Sequence, residues 1–202
     1  LTQTLLFDID NISTVIKKKE KKTKSKAVKN NEKTISKLGK AKQKVNEVIG
    51  NVQMDQTTHY ASMGEWSMHD LLFHLLEQTG PASVYISTWS LSENSIRQLL
   101  QKINDGIILK LYGVFDWRVK IRRPEAFQLA RYNISDIRLT TTHAKVTVIE
   151  NGKWNIAIEG SANYTNNPRI EAGVISCNKI AADFHKKWML EKLNKSDLFE
   201  AK

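Results

Sequence analysis

The segment "HAKVTVIENGKWNIAIEG", residues 143 to 160, constrains the chain more than any other. Two runs rich in β-branched and aromatic residues flank Asn151-Gly152, and Asn-Gly between two such runs is the strongest short signal for a β-hairpin. Side chains alternate along a strand, so His143 and Lys145 are expected to project from one face. A strict two-residue turn pairs His143 with Gly160 and Thr142 with Ser161. That parity turns Ser161 to the other face. A bulge or kink is therefore predicted at Gly160, the residue best able to tolerate one.

The flanking sequence alternates helix and strand patterns. "SMHDLLFHLLEQTG" reads as a helix with Leu71, Leu72, Leu75 and Leu76 on its buried side and Gly80-Pro81 as its stop. "ASVYISTW" reads as a strand, and "SENSIRQLLQKIND" as a helix capped by Ser92. "GIILKLYGVF" is a strand, "RPEAFQLARYN" a helix with Pro124 in its first turn, and "DIRLT" a short strand. After the hairpin come a strand, "EAGVISC", and a closing helix, "IAADFHKKWMLEKL". Such alternation defines an α/β fold, a mixed sheet sandwiched by helices. Upstream, Ile35, Leu38, Val45, Val48 and Ile49 fit a weak amphipathic helix. The reading divides the chain into a basic extension over 1–58, disordered or helical, and a compact domain over 59–202.

Charge is uneven. Residues 17 to 44 hold thirteen lysines against Glu20 and Glu32, more than enough to account for the net charge of +10. Lys17, Lys18, Lys19, Lys21, Lys22, Lys24 and Lys26 lead this run. Lysine without arginine suits sequence-independent attraction to a polyanion, nucleic acid before an anionic membrane, or else a solvating arm. Cys177 is the one cysteine, which excludes an internal disulfide and a cysteine metal cluster. No run of about 18 apolar residues occurs, so no membrane span is expected, and with no signal peptide seen the expected location is cytoplasmic.

The hairpin segment also carries chemistry. Lys145 offers a fixed positive charge, Asn163 an amide donor, and Ser161 a hydroxyl and a backbone N–H. Together with Gly160, which leaves room for a phosphate-sized group, these suit the oxygens of a phosphoryl group. His143 is able to act as nucleophile or as general acid and base. Glu171 is the candidate carboxylate to orient the imidazole. His69 and His74 stand five apart on a helix, a spacing unsuited to a metal, and are read as surface or boundary residues. His59 and His185 are expected in solvent. Trp89, at the end of the first sheet strand, is the tryptophan best placed for substrate. Arg169 is a weak nucleic-acid contact, and Arg122-Arg123 read as ordinary surface charges.

His143, Lys145, Gly160, Ser161 and Asn163 match H-x-K followed by G-S-x-N, and on these residues the domain resembles one repeat of the phospholipase D superfamily, in particular its single-motif dimeric endonucleases. Glu150 stands where that family has Asp, and nine residues, not about six, separate it from Gly160. The resemblance implies a reaction without metal or other cofactor. One histidine forms a phosphohistidine, and a second protonates the leaving oxygen. A chain with one motif then needs a homodimer with a shared site. Three readings follow: a nuclease, with DNA the preferred substrate; a phospholipid-hydrolysing enzyme of the same chemistry; and a non-catalytic DNA-binding module of a mobile-element or restriction-type system.

Overall fold

The computed structural model describes residues 33–166 and 168–194, and the backbone of 199–200. The lysines at 17 to 26 lie outside the described residues. The rest builds nine strands: β1 (Lys33–Leu38), β2 (Gln56–Ser62), β3 (Ala82–Thr88), β4 (Ile108–Asp116), β5 (Asp136–Thr140), β6 (Val146–Glu150), β7 (Asn155–Gly160), β8 (Glu171–Ser176) and β9 (Phe199–Glu200). The helices are α1 (Val45–Ile49), α2 (Met68–Thr79), α3 (Glu93–Asn104), α4 (Val119–Arg122), α5 (Pro124–Asn133) and α6 (Lys179–Leu193). This is the mixed α/β sheet flanked by helices that the alternating pattern implies.

The strands form one sheet in the order β1-β2-β8-β7-β6-β3-β4-β5-β9. The strands β3, β4, β5 and β9 run parallel, while β2, β8, β7, β6 and β3 pair antiparallel in succession. Side-chain alternation sorts the sheet into two cores. Val84 and Ile86 of β3, with Ile149, Ile156 and Ile158, join Leu71, Leu72, Leu75, Ile96 and Leu99 on one face. Tyr85, Val114, Val146 and Val148 face the other way, against Met189 and Leu193 of α6. Period two in the strands and 3.6 in the helices therefore meet on both faces, as a sandwich requires. Ser92 caps α3 by accepting from the Ser95 backbone N–H at 3.2 Å, and Pro124 opens α5.

The upstream segment departs from the amphipathic helix expected over 35–49. Lys33–Leu38 adds as a parallel edge strand beside β2, and the helix is confined to Val45–Ile49. The edge of β2 presents a row of backbone donors and acceptors, and satisfying them outweighs a weak helical pattern. Lys42, with φ +67°, breaks any continuous helix across this stretch. Among the described residues, the sheet accordingly includes β1 from Lys33 and β2 from Gln56, upstream of the boundary expected at His59.

The hairpin differs in register. Glu150 pairs with Asn155 and Val146 with Glu159, so the loop is Asn151–Trp154, four residues long. Asn151 causes this: its Oδ1 accepts from the N–H groups of Lys153 (2.9 Å) and Trp154 (2.8 Å), closing a side-chain turn. A shift of two residues keeps the parity but sets Gly160 opposite Lys145, not His143; Gly160 N–H donates to the Lys145 carbonyl at 3.2 Å.

The bulge expected at Gly160 is absent. Pairing with β8 runs in unbroken register to Gly160↔Gly173, and β7 simply ends there. Glycine serves close packing instead. A Cβ on Gly160 would lie 2.9 Å from the Ala172 carbonyl oxygen, and one on Gly173 would lie 2.5 Å from the Glu159 carbonyl oxygen and 2.6 Å from the Tyr60 hydroxyl. Gly173→Ala is expected to destabilise the fold by about 1–3 kcal/mol, because a backbone oxygen cannot swing away as a side chain can. Denaturant unfolding measures it; an unchanged midpoint would refute the packing account.

Candidate active site

Strand directions gather the motif. The carboxyl ends of β3 and β7 and the amino ends of β6 and β8 lie at the same end of the sheet, because β6 and β8 run antiparallel to their neighbours. Ser87–Ser90, His143–Lys145, Gly160–Asn163 and Glu171 therefore converge. Open α/β sheets place their ligand crevices at this end.

His143 and Lys145 precede β6, which begins at Val146. The expected strand placement is thus displaced into the extended lead-in, outside the paired ladder. His143 is exposed, while Lys145 is 9% exposed. The Lys145 Nζ donates to the His143 carbonyl oxygen at 2.8 Å and lies 3.3 Å from each nitrogen of the imidazole. Burial pushes the Lys145 ammonium below the ordinary lysine range, and the Glu171 carboxylate partly opposes that shift.

Asn163 is oriented by its oxygen. Its Oδ1 accepts from Thr88 Oγ1 and from the Ser90 backbone N–H, both at 3.2 Å. The Nδ2 end is left to donate, the polarity a phosphoryl oxygen needs.

Ser161 plays a different part from the one expected. Its backbone N–H donates to the Ala172 carbonyl at 3.0 Å, so that donor is spent within the sheet. Its hydroxyl hydrogen-bonds the Glu171 carboxylate and accepts from the Ala172 N–H at 3.1 Å. Ser161 clasps the exit of β7 to the entry of β8. Glu171 acts through this clasp and through its charge on Lys145 and on Tyr60, whose buried hydroxyl is raised above the usual phenol range by burial first and by Glu171 second.

Asp116, at the end of β4, supports the same region and was not singled out from the sequence. It is fully buried. Arg118 grips it through Nε (2.5 Å) and Nη2 (2.9 Å), and the Thr142 N–H donates to it at 3.2 Å. Burial works to raise its pKa, but the bonds from Arg118 and from the backbone N–H groups of Arg118 and Thr142 together hold it below the usual carboxylate value. The residue before His143 is thereby pinned. An aspartate closing a buried β-strand just before a tryptophan is the only local clue, and nothing in it points to residue 142.

Other candidates fall elsewhere. Glu150 lies at the far end of β6, on the order of 16 Å along the strand from Lys145, and pairs with Lys186. Arg169 is exposed on the loop before β8. Of the histidines expected at the surface, His59 is exposed, but three others are buried. His69, 2% exposed, meets Ser67 Oγ at 2.6 Å and Ser95 Oγ at 3.2 Å; burial lowers its pKa, keeping it neutral. His74 meets the Gly50 carbonyl oxygen at 2.8 Å. His185 is flanked by Glu159 at 2.9 Å and by the indole N–H of Trp188 at 3.1 Å. Each lies on the inward stripe of its helix and finds polar partners there, which a one-dimensional spacing does not reveal. Cys177 is buried, and burial raises its thiol to about 12. Among the described residues no group of three or more histidine, cysteine or carboxylate side chains is placed to hold a metal ion. Among them, too, no helix is long and apolar enough to cross a membrane.

Fold and site together define an α/β protein with a histidine–lysine–asparagine cluster at the carboxyl end of its central strands. No family model matches the chain, and no curated protein does. Among solved structures, polyphosphate kinase from Porphyromonas gingivalis superposes with a TM-score of 0.49 at 15% identity, over 66% of this chain and 25% of that one. TrmBL2, an archaeal chromatin protein described as showing a novel mode of DNA binding, superposes with a TM-score of 0.46 at 9% identity, over 71% of this chain and 54% of that one. This chain thus spans a quarter of the first and about half of the second, and at these scores neither likeness carries weight for function.

Proposed function

We propose that the protein is a phosphodiesterase of the phospholipase D type that cleaves nucleic acid, with His143 as its nucleophile. The observation that carries this reading is the exposed His143 imidazole, 3.3 Å from the ammonium of the buried Lys145. Asn163, held by its oxygen, adds a donor at the same sheet end. A ring nitrogen of His143 attacks phosphorus; the P–N bond forms as the P–O bond to the leaving group breaks. Lys145 and Asn163 stabilise the charge on the non-bridging oxygens. The partner's His143, across a two-fold axis, gives its proton to the departing oxygen and then takes one from water, which displaces the first imidazole. The Lys17–Lys26 run supplies sequence-independent attraction to the substrate backbone, with affinity falling as salt rises.

Trapping the covalent intermediate tests the proposal. The protein is offered DNA, RNA and phospholipid diesters in chelator, quenched in alkali, and its peptides are weighed. A phosphoryl-linked adduct on His143 with nucleic acid is the expected result. An adduct with lipid alone would establish the phospholipid-hydrolysing reading. Neither adduct nor cleavage across the pH range, with DNA still bound, would establish the binding module.

A further inference from the structure

Beside the reaction site lies a second basic pocket that the catalytic steps do not use. A cavity of about 250 Å³ is lined by Trp89, Ser90, Val119, Arg122 and Arg123. Two of its walls belong to both places. The Ser90 backbone N–H is the donor that holds Asn163, and the half-buried Trp89 ring lies with its centroid 5.7 Å from that of the His143 ring. The pocket is therefore contiguous with the nucleophile.

Its charge is not neutralised. Arg118 and Arg122 both lie over the Trp89 indole, with Cζ 5.5 and 5.0 Å from the ring centroid. Arg118 is gripped by Asp116, so its charge is balanced. Arg122 and Arg123 are exposed, and among the described residues neither guanidinium has a carboxylate or hydrogen-bond partner. The indole holds Arg122 by a cation–π interaction, which orders the side chain without satisfying its donors. Two guanidinium forks beside an aromatic ring form a phosphate site, since arginine binds phosphate through paired N–H groups.

We infer that this pocket takes the phosphate next to the one cleaved in a single strand of nucleic acid. The inference rests on the proposed function and deepens it by assigning Arg122 and Arg123 to the neighbouring phosphate. A strand carries a second phosphate one nucleotide away. A phospholipid diester has acyl chains, not a second phosphate, at that distance, and these leave the two guanidinium groups unanswered.

The test uses full-length protein carrying His143→Ala, so that binding is read without turnover. Affinity for a twelve-nucleotide single strand is measured against salt, with and without Arg122→Gln/Arg123→Gln. The control is Arg97→Gln/Arg131→Gln, which removes two exposed arginines away from the pocket. The pocket variant is expected to bind about tenfold more weakly, with the slope of log affinity against log salt shallower by about 0.7 for each phosphate no longer neutralised. The control is expected to leave that slope unchanged. Equal weakening in the control, no weakening in the pocket variant, or an equal fall in affinity for anionic phospholipid vesicles overturns the inference. Because cleavage is never measured, failure of the nuclease reading is recognised separately, by a wild-type protein that binds the strand and leaves it intact.

Discussion

With His143 as the proposed nucleophile, its replacement by alanine is expected to lower phosphodiester cleavage by about 10⁶-fold, the order seen when a nucleophile is removed from a catalytic unit. The melting temperature stays where it was, because the ring is exposed and surface substitutions shift stability by within about 0.5 kcal/mol. Nucleic-acid affinity is retained, since Lys145, Asn163 and the lysine run are untouched. A mixing experiment adds a second readout. If the site is shared by two copies, excess His143→Ala protein suppresses wild-type activity by more than dilution, because each mixed dimer holds one histidine where two are needed. Activity that falls only in proportion to dilution argues for a self-contained site. Cleavage that survives the substitution removes His143 from the reaction.

The second large effect falls on Lys145. Under the proposed function, its replacement by methionine, similar in length and without charge, is expected to lower cleavage by about 10²–10³-fold, as for the removal of one donor to a developing oxyanion. Stability is expected to stay level or rise. Burial lowers the ammonium's pKa, so the folded protein holds this proton less firmly than the unfolded chain does. The charged form therefore weakens the wild-type fold below the folded-state value, and that penalty fades as pH climbs through the interval up to the unfolded value. Methionine has no proton to lose and erases this dependence. Thermal melts of both proteins across neutral and alkaline pH measure it. A variant that melts several degrees lower would make Lys145 a structural residue, not a functional one.

Lys145 and His143 also show how far a one-dimensional reading reaches. Their types and spacing were legible, as were those of Gly160, Ser161 and Asn163, and the strand directions bring these segments to one end of the sheet. Their placement was legible in part. Parity put His143 and Lys145 on one face of a strand, yet both precede β6. The two-residue turn implied by Asn151-Gly152 gave way to four residues, because the Asn151 side chain bonds two backbone N–H groups further on. Ser161 was read as a phosphate ligand, yet its N–H and hydroxyl go to Ala172 and Glu171, residues ten and more away in sequence. Asp116, which pins Thr142 from a different strand, had no motif to announce it.

Local pattern was enough for the four longer helices and for the central strands, since each carries its own periodicity and its own boundary signals, such as the starts at Ser92 and Pro124 and the stop at Gly80. It failed where an element owes its form to a neighbour. Lys33–Leu38 is a strand because β2 offers an unpaired edge, and His69, His74 and His185 are buried because polar groups from other segments meet them. Composition and periodicity are properties of a segment, readable along the chain. Hydrogen-bond satisfaction and charge neutralisation belong to groups brought together from distant positions, and these settle why Arg118 is balanced while Arg122, four residues on and over the same indole, is not.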